Sequence, residues 1–210
     1  MDKKITALET QKRNPDRLNV YLDNEFAFGI SKFVAAWLSV GQTISEEKLK
    51  ELSNQDEREK AYQTALSYIG YKDRTKFEVT TRLEKGDFPP EIIQRTISDL
   101  EEKEYINDLR FAQQWVEIRS ETKPRGRYLL KLELKKKGIE DSVITDALTN
   151  IPDEEDLARE FGEKYMRKLS EVNREVFVKK MTGALMRKGF SYSVTKEVVG
   201  NLILQRQSIN

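Results

Sequence analysis

The chain lacks the two side chains that most often carry enzyme chemistry, because its 210 residues include no histidine and no cysteine. Histidine is the commonest general base and transition-metal ligand, and cysteine supplies thiolate nucleophiles. Acidic runs occur at 101–104 and 153–156. Such runs could offer oxygen ligands to a cation, but acids at a helix start are also favoured by the helix dipole. We therefore expect no catalytic residue, no metal site and no cofactor, and hence a protein that is not an enzyme.

The chemistry that the sequence does suggest is electrostatic recognition. Lys+Arg at 37 nearly balance Asp+Glu at 36, so the net charge of +1 by itself predicts no polyanionic partner. The charges are nevertheless segregated along the chain. Seven basic and two acidic residues lie within 121–139, nine acidic residues and one basic residue within 140–163, and eight basic and two acidic residues within 164–188.

The candidate binding residues belong to the two basic stretches. Arg127, Lys131 and Lys135 are spaced at i, i+4 and i+8, which places them on one stripe of a helix. An acidic protein surface, a phosphate backbone, or both would complement a basic strip. The alternative is that the three stretches are ordinary solvated faces. The candidate set is Lys123, Arg125, Arg127, Lys131, Lys135, Lys136, Lys137, Lys179, Lys180, Arg187 and Lys188.

The elements that would position these residues follow an internal repeat of 51 residues between about Asp56 and Leu204. Gly138 and Gly189 share one column of the repeat, and Gly86 is displaced from it by one residue. Six further columns are apolar in every repeat. They are Val79/Leu130/Met181, Leu83/Leu134/Leu185, Phe88/Ile139/Phe190, Ile92/Val143/Val194, Ile97/Leu148/Val199 and Leu100/Ile151/Leu202.

Each repeat is expected to contain three helices. The first covers about Asp56–Tyr68, Asn107–Arg119 or Asp153–Lys168, with Asn107 and Asp153 as N-caps. The second ends at a glycine in the left-handed conformation, and an apolar residue at the corner leads into the third. Because a unit of about 50 residues is small for independent stability, the units should stack into an elongated, curved array.

The N-terminal segment has a different pattern. Apolar residues alternate in Leu18–Leu22 and in Phe26–Ile30, and Asp23-Asn24 between them favours a turn. We predict a β-hairpin in which Phe26, Phe28 and Ile30 share one face, and a third strand from the N-terminus is compatible with it.

Two helices are predicted after this hairpin. The first, over Lys32–Val40, would cover the hairpin with Phe33, Trp37 and Val40, because an isolated hairpin is marginal in water. The second would run from about Ser45 to Leu52, with Ser45 as its N-cap.

The predicted fold class is mainly α, with three tandem three-helix repeats and a small N-terminal β-hairpin and helix segment. The predicted segments are 1–54, 55–104, 105–152 and 153–210. No stretch approaches 18 apolar residues, and the polar start lacks the apolar core of a signal peptide. We expect a cytoplasmic monomer that does not contact membranes.

Three ordered motifs carry a resemblance to a known family. The first is Tyr71–Thr75, followed by Glu78, Val79 and Leu83. The second is Tyr105–Ala112. The third begins at Gly126-Arg127 and runs through Leu130, Glu133-Leu134, Lys137-Gly138-Ile139 and Ile144 to Ala147-Leu148. In order and spacing, these motifs resemble the RecX family of regulatory proteins.

The resemblance implies an all-helical tandem-repeat modulator of the RecA recombinase, active in DNA repair, homologous recombination and the SOS response. Such a protein would bind the filament of RecA on single-stranded DNA and lie in its helical groove. It would mostly inhibit strand exchange, ATP hydrolysis and co-protease activity. The implied partners are the RecA filament and single-stranded DNA, contacted directly or through the filament. The family offers no catalytic residue to transfer.

Two alternatives stay open on the sequence. One is a nucleic-acid-binding helical repeat protein that acts without the recombinase. Against it, Tyr128 is the only aromatic residue within 121–139, whereas base stacking needs grouped aromatics among cations. The other alternative is a helical adaptor for an unrelated protein.

Overall fold

The fold is that of a computed structural model in which residues 2–149 and 151–209 are described, with side chains as far as residue 207. Met1, Asn150 and Asn210, which fall within the predicted segments, lie outside the described residues. The described part contains four strands and nine α-helices. They are β1 (Lys3–Thr10), β2 (Arg17–Leu22), β3 (Glu25–Ser31), β4 (Thr43–Ile44), α1 (Glu46–Tyr71), α2 (Lys76–Glu84), α3 (Pro90–Glu102), α4 (Asp108–Thr122), α5 (Arg127–Lys136), α6 (Asp141–Ala147), α7 (Glu154–Met166), α8 (Arg174–Arg187) and α9 (Tyr192–Ile209).

The chain divides into two compact units. The first comprises Met1–Arg74 and Val79–Tyr105, and the second comprises Thr75–Glu78 and Ile106–Asn210. The prediction of a mainly α fold with a small N-terminal β segment is confirmed. The exact bounds of the four predicted segments stay a prediction.

An antiparallel sheet of strand order β3-β2-β1-β4 forms the N-terminal part of the first unit. The predicted hairpin and third strand are present, and β4 is an addition that the sequence did not indicate. Asp23 and Asn24 have φ of 52° and 71°, the left-handed conformation of a tight hairpin turn. Ile5, Val20 and Ile30 are fully buried and begin the core of this unit.

The prediction for the face of β3 is wrong at Phe26. Val20 pairs with Phe28 whereas the next residue of β2, Tyr21, pairs with Phe26, so Ala27 is an extra residue in the ladder. A bulge of this kind moves side chains on its far side to the opposite face of the sheet. Phe26 is therefore 60% exposed and packs edge-on against Tyr21.

The predicted helix over Lys32–Val40 is also wrong. Residues 32–37 form consecutive turns without a regular helix, and the buried side chains of the segment are aliphatic, namely Val34, Ala35 and Leu38. Phe33, Trp37 and Val40, which were expected to cover the hairpin, are exposed. The small aliphatic side chains fill the space above the sheet, and the aromatic rings are left at the surface.

One helix of 26 residues, α1, replaces the two helices predicted at Ser45–Leu52 and Asp56–Tyr68. Ser45 is its N-cap as predicted and accepts a hydrogen bond from the backbone nitrogen of Lys48. The polar segment around Asn54 does not interrupt it, because Asp56 lies on the buried side. Its carboxylate accepts hydrogen bonds from the guanidinium of Arg17 at 2.8 and 3.1 Å and from the backbone nitrogen of Ser31 at 2.7 Å.

Most members of the six apolar 51-residue columns are buried, and Phe88, Val143, Ile151 and Val194 are half-buried. In the columns that begin at Val79 and Leu83, every member is fully buried. Ala61, Ala112 and Ala158 are fully buried in the first helix of each repeat. Asn107 and Asp153 cap α4 and α7 as predicted.

The turn after the second helix has the same backbone conformation in all three repeats, but only the second and third repeats have glycine there. Gly138 and Gly189 have φ of 75° and 83°, as expected for the residue that ends a helix. In the first repeat, Asp87 occupies the same column and adopts φ of 57°. Gly86, one residue earlier, does not have a positive φ. The next residue donates the same backbone hydrogen bond in all three repeats, from Phe88 to Leu83, from Ile139 to Leu134 and from Phe190 to Leu185.

Two joints with equivalent hydrogen bonds hold the second unit together. Thr75 Oγ1 donates to the carbonyl of Lys137 at 2.7 Å, and 51 residues later the backbone nitrogen of Gly126 donates to the carbonyl of Lys188 at 2.9 Å. The following residues, Lys76 and Arg127, donate their backbone nitrogens to acidic residues in the first turns of α4 and α7. The acceptors are Asp108, at 2.9 Å, and Glu154, at 3.0 Å.

Candidate binding surface

The predicted stripe on α5 is present, but two of its three cations share one carboxylate of the chain. Lys131 and Lys135 both bind the carboxylate of Asp141, at 3.3 and 3.0 Å. The hydrogen bond from Lys135 lowers the pKa of Asp141, burial opposes it, and the hydrogen bond from Lys131 lowers it further, so the net direction is down. These two lysines are half-exposed, and the carboxylate of Asp141 lies beside both of them.

Arg127, the first residue of the stripe, has a structural role. Its guanidinium donates to the carbonyl oxygen of Leu148 at 2.9 Å, and its backbone nitrogen binds Glu154. Both contacts lie at the start of α5, where they tie this helix to its neighbours. These contacts hold Arg127 in place, but they do not neutralise its guanidinium, because a carbonyl oxygen carries no net charge.

Lys137 and Lys188 occupy one column of the repeat and make similar contacts. The Nζ of Lys137 lies 5.5 Å from the centre of the Trp115 ring and 2.7 Å from Glu78 Oε1. The Nζ of Lys188 lies 5.2 Å from the centre of the Phe161 ring. Cation–π contacts of this type orient an ammonium group without neutralising it. Within the described residues, Lys188 has this ring contact and no acidic partner.

Glu133 is a carboxylate that forms ion pairs with two neighbouring arginines. It forms ion pairs with Arg125 and with Arg119, the latter at 3.2 Å, and accepts a hydrogen bond from Trp115 Nε1 at 2.9 Å. One carboxylate cannot neutralise two guanidinium groups, so the surroundings of Glu133 remain positive. Sequence reasoning missed Arg119, since it precedes the basic stretch by several residues and joins it only in the folded unit.

Four basic residues converge at this point, and we call Arg119, Lys123, Arg125 and Lys188 the cation cluster. Burial and the charges of Arg125 and Lys123 lower the pKa of Lys188. Burial and the charge of Arg119 likewise lower the pKa of Arg125. Like charges that depress each other's pKa create a site where an anion would relieve their repulsion. The bond from Gly126 to Lys188 brings the two chain segments together.

The remaining candidates are exposed cations. Within 2–149 and 151–209, no acidic group lies within ion-pair distance of Lys123, Lys136, Lys179, Lys180 or Arg187. Lys136 and Arg187 share a column with Lys85, which the sequence prediction left out, and all three are exposed at the end of the second helix of their repeats. Lys179 and Lys180 lie in the middle of α8, and no described contact joins them to the cation cluster.

The described residues offer no group of three or more acidic side chains that could hold a metal ion. In the same part of the chain, no helix is both long and apolar enough to cross a membrane. The acidic run at 153–156 instead caps α7, where Asp153 accepts from the backbone nitrogen of Glu155.

Fold and charge together define a class of protein, a tandem array of three-helix units with cations at equivalent helix ends. Comparison with protein families then gives the particular family. The RecX N-terminal domain matches residues 3–45, and the first, second and third three-helix domains of RecX match residues 61–100, 107–148 and 153–199. The chain belongs to the RecX family of regulatory proteins, as the motifs indicated.

Individual relatives agree with this assignment. The regulatory protein RecX of Bacillus pumilus (strain SAFR-032) is 36% identical over 196 residues, which cover 90% of this chain and 74% of the relative. The same protein of Bacillus subtilis (strain 168) is 33% identical over 196 residues, with 90% and 74% covered.

Two solved structures share the fold. A crystal structure of regulatory protein RecX superimposes with a TM-score of 0.76 at 29% identity and covers 93% of this chain and 98% of that chain. The crystal structure of RecX from Lactobacillus salivarius has a TM-score of 0.67 at 31% identity and covers 71% of this chain and 99% of that chain. The predicted family and fold class are confirmed.

Proposed function

We propose that this protein binds the filament of RecA on single-stranded DNA and modulates, mostly by inhibition, its recombinase, ATPase and co-protease activities. Membership of the RecX family of regulatory proteins is the observation that carries the proposal. We further propose that it acts in the cytoplasm as a monomer, without a cofactor and without enzymatic activity of its own.

The cation cluster supports this function physically. Three arginine or lysine charges exceed the single carboxylate of Glu133, and Lys123 is exposed beside them. A phosphate backbone or an acidic protein surface would replace the mutual repulsion of these groups with attraction. The other exposed cations, Lys136 and Arg187, recur at the repeat spacing of 51 residues. A partner that itself repeats along a filament is suited to such regularly spaced contacts.

The proposal is tested by measuring strand exchange and DNA-dependent ATP hydrolysis by RecA at increasing ratios of this protein. We expect inhibition at sub-stoichiometric ratios. Absence of any effect at every ratio would refute the function. Binding should also be measured on preassembled filament, bare DNA and free RecA across salt concentrations, because phosphate contacts weaken steeply with salt.

Two double variants with the same change in net charge locate the interface. Lys123→Gln with Lys188→Gln removes two charges of the cation cluster, whereas Lys131→Gln with Lys135→Gln removes two charges that lie outside this cluster and share the carboxylate of Asp141. We expect the first pair to weaken filament binding about tenfold and the second to change it little. Equal losses for both pairs would mean that only net charge matters, and the interface would then lie elsewhere.

A further inference from the structure

The first unit has a groove lined by exposed aromatic rings. Two of them, Phe33 and Trp37, were predicted from the sequence to cover the hairpin. Its cavity volume is about 450 Å³, and we call it the aromatic groove. Phe33 and Trp37 come from the turns after β3, Tyr62 and Arg58 from α1, and Lys103 from the end of α3. None of these side chains is needed to fill the sheet core, which Val34, Ala35 and Leu38 complete from the same segment.

The rings are more exposed than packing would require. Phe33 is 77% exposed and Trp37 is 45% exposed, although both are large apolar groups. Grouped exposed aromatics on a folded surface mark a binding site more often than single exposed apolar residues do. The aromatic groove therefore has the properties of a recognition surface.

Cations lie among these rings. The Nζ of Lys48 lies 4.5 Å from the centre of the Trp37 ring. The Nζ of Lys103 lies 4.7 Å from the centre of the Tyr62 ring and 3.0 Å from its hydroxyl oxygen. Arg58 is exposed, and within the described part of the chain it has no acidic partner. Lys48 is ion-paired with Glu51 at 2.7 Å and does not line the groove, so Arg58 and Lys103 are the basic residues of the groove lining.

The acidic residues of the aromatic groove are already engaged. Asp99 forms an ion pair with Arg95 at 3.2 Å, and Glu59 accepts a hydrogen bond from the side chain of Gln63 at 2.9 Å. Glu59 keeps its negative charge because Gln63 is neutral, and Asp99, after Tyr62, also helps to raise the pKa of Lys103. Arg58 is therefore the cation of the groove lining that is available to an anionic ligand with flat apolar parts.

We propose that the aromatic groove binds single-stranded nucleic acid, with unstacked bases against Phe33 and Trp37 and phosphates beside Arg58 and Lys103. Base–aromatic stacking tolerates any sequence because every base has a π face, and cations that follow the backbone supply the electrostatic part. The inference adds a nucleic-acid contact to the proposed function, but it does not depend on the recombinase.

Tryptophan fluorescence can test this directly, because the chain has only two tryptophans, Trp37 and Trp115. In the full chain carrying Trp115→Phe, Trp37 is the single tryptophan. We expect a short oligothymidylate to quench its emission in a saturable titration, because a stacked base contacts the indole ring. Heparin, a polyanion without bases, should bind without this quenching. An oligonucleotide that binds and leaves Trp37 emission unchanged would overturn the proposal.

A binding experiment with the otherwise unaltered chain provides a second test. Phe33→Ala with Trp37→Ala should lower affinity for the oligothymidylate about 10- to 100-fold, the range expected when one or two stacked bases are lost. Phe26→Ala removes an exposed ring outside the groove and should leave the affinity unchanged. Equal affinities for both variants would refute the groove as the site.

These experiments distinguish a failure of the groove proposal from a failure of the proposed function. If free RecA, and not the oligothymidylate, changes the emission of Trp37, the groove binds protein and the proposal fails while filament regulation stands. If the oligothymidylate binds as described but RecA activities are unaffected, the proposed function fails and the groove assignment stands.

Discussion

The backbone nitrogen of Gly126 donates a hydrogen bond to the carbonyl oxygen of Lys188 at 2.9 Å. The approach is so close that a Cβ on Gly126 would overlap the backbone of Gly189 and Phe190. The contact ties the start of α5 to the end of α8, and it brings Lys123 and Arg125 near Lys188. Stability of the second unit and assembly of the cation cluster therefore depend on the same joint.

Gly126→Ala should lower the free energy of unfolding by about 1–3 kcal/mol, as other overpacking substitutions do. Gly200→Ala is the matched control, because Gly200 lies inside α9 and a methyl group added there would meet no heavy atom within 4 Å. That change should instead raise stability by roughly 0.5–1 kcal/mol through the helix propensity of alanine. Urea unfolding followed by circular dichroism measures both. Equal effects of the two substitutions would contradict the close approach at the joint.

Asp87→Gly should stabilise the first repeat even though it introduces a glycine. Asp87 has φ of 57° in the column where the other repeats have Gly138 and Gly189. A left-handed conformation costs an L-residue about 1–2 kcal/mol, which exceeds the roughly 0.5–1 kcal/mol that glycine loses in chain entropy. We expect a net gain of about 0.5 kcal/mol in thermal or urea unfolding. Lys85→Gly, inside the same turn but without this conformation, should be destabilising.

Asp56→Asn should destabilise the first unit by about 3 kcal/mol at neutral pH, because it removes the buried carboxylate that pairs with the half-buried Arg17. Burial opposes ionisation of Asp56, but hydrogen bonds from Arg17, Lys60 and the Ser31 backbone outweigh it, and the pKa is lowered. A lowered pKa in the folded state stabilises the fold above the unfolded pKa, and this stability is lost as pH falls through the folded value.

The difference in unfolding free energy between wild type and Asp56→Asn should therefore be constant above about pH 5 and shrink below about pH 4. Asp73→Asn is the control, since Asp73 is exposed in the loop before α2. It should follow the wild-type pH profile. A difference between wild type and Asp56→Asn that persists unchanged at pH 3 would exclude an ionic role for Asp56.

Lys123→Gln should increase stability and weaken partner binding at the same time. Lys123 is exposed, and its charge lowers the pKa of Lys188, so its removal relieves repulsion within the cation cluster. We expect a gain of a few tenths of a kcal/mol at low salt, as for other like-charge pairs, which disappears at high salt. Thermal unfolding at two salt concentrations and filament binding measure the two effects. Stability lost at low salt would contradict the assignment of Lys123 to a repulsive cluster.

Local patterns in the sequence were enough to predict the helical scaffold. Leu83, Leu134 and Leu185 repeat at 51 residues because each repeat must bury the same side of its second helix, and this pattern is visible within each segment by itself. N-caps at Ser45, Asn107 and Asp153 followed from short-range hydrogen bonding. The hairpin turn at Asp23-Asn24 followed from backbone conformation alone.

The tertiary structure alone decided which charges and rings are available to a partner. Lys131 and Lys135 looked equivalent to Lys123 in the sequence, but only they lie beside a carboxylate, that of Asp141. Phe33 and Trp37 looked like core residues, because hydrophobicity predicts that a side chain can be buried but not that space remains for it. Space and pairing depend on residues far away in the chain, and the sequence pattern contains no distance between them.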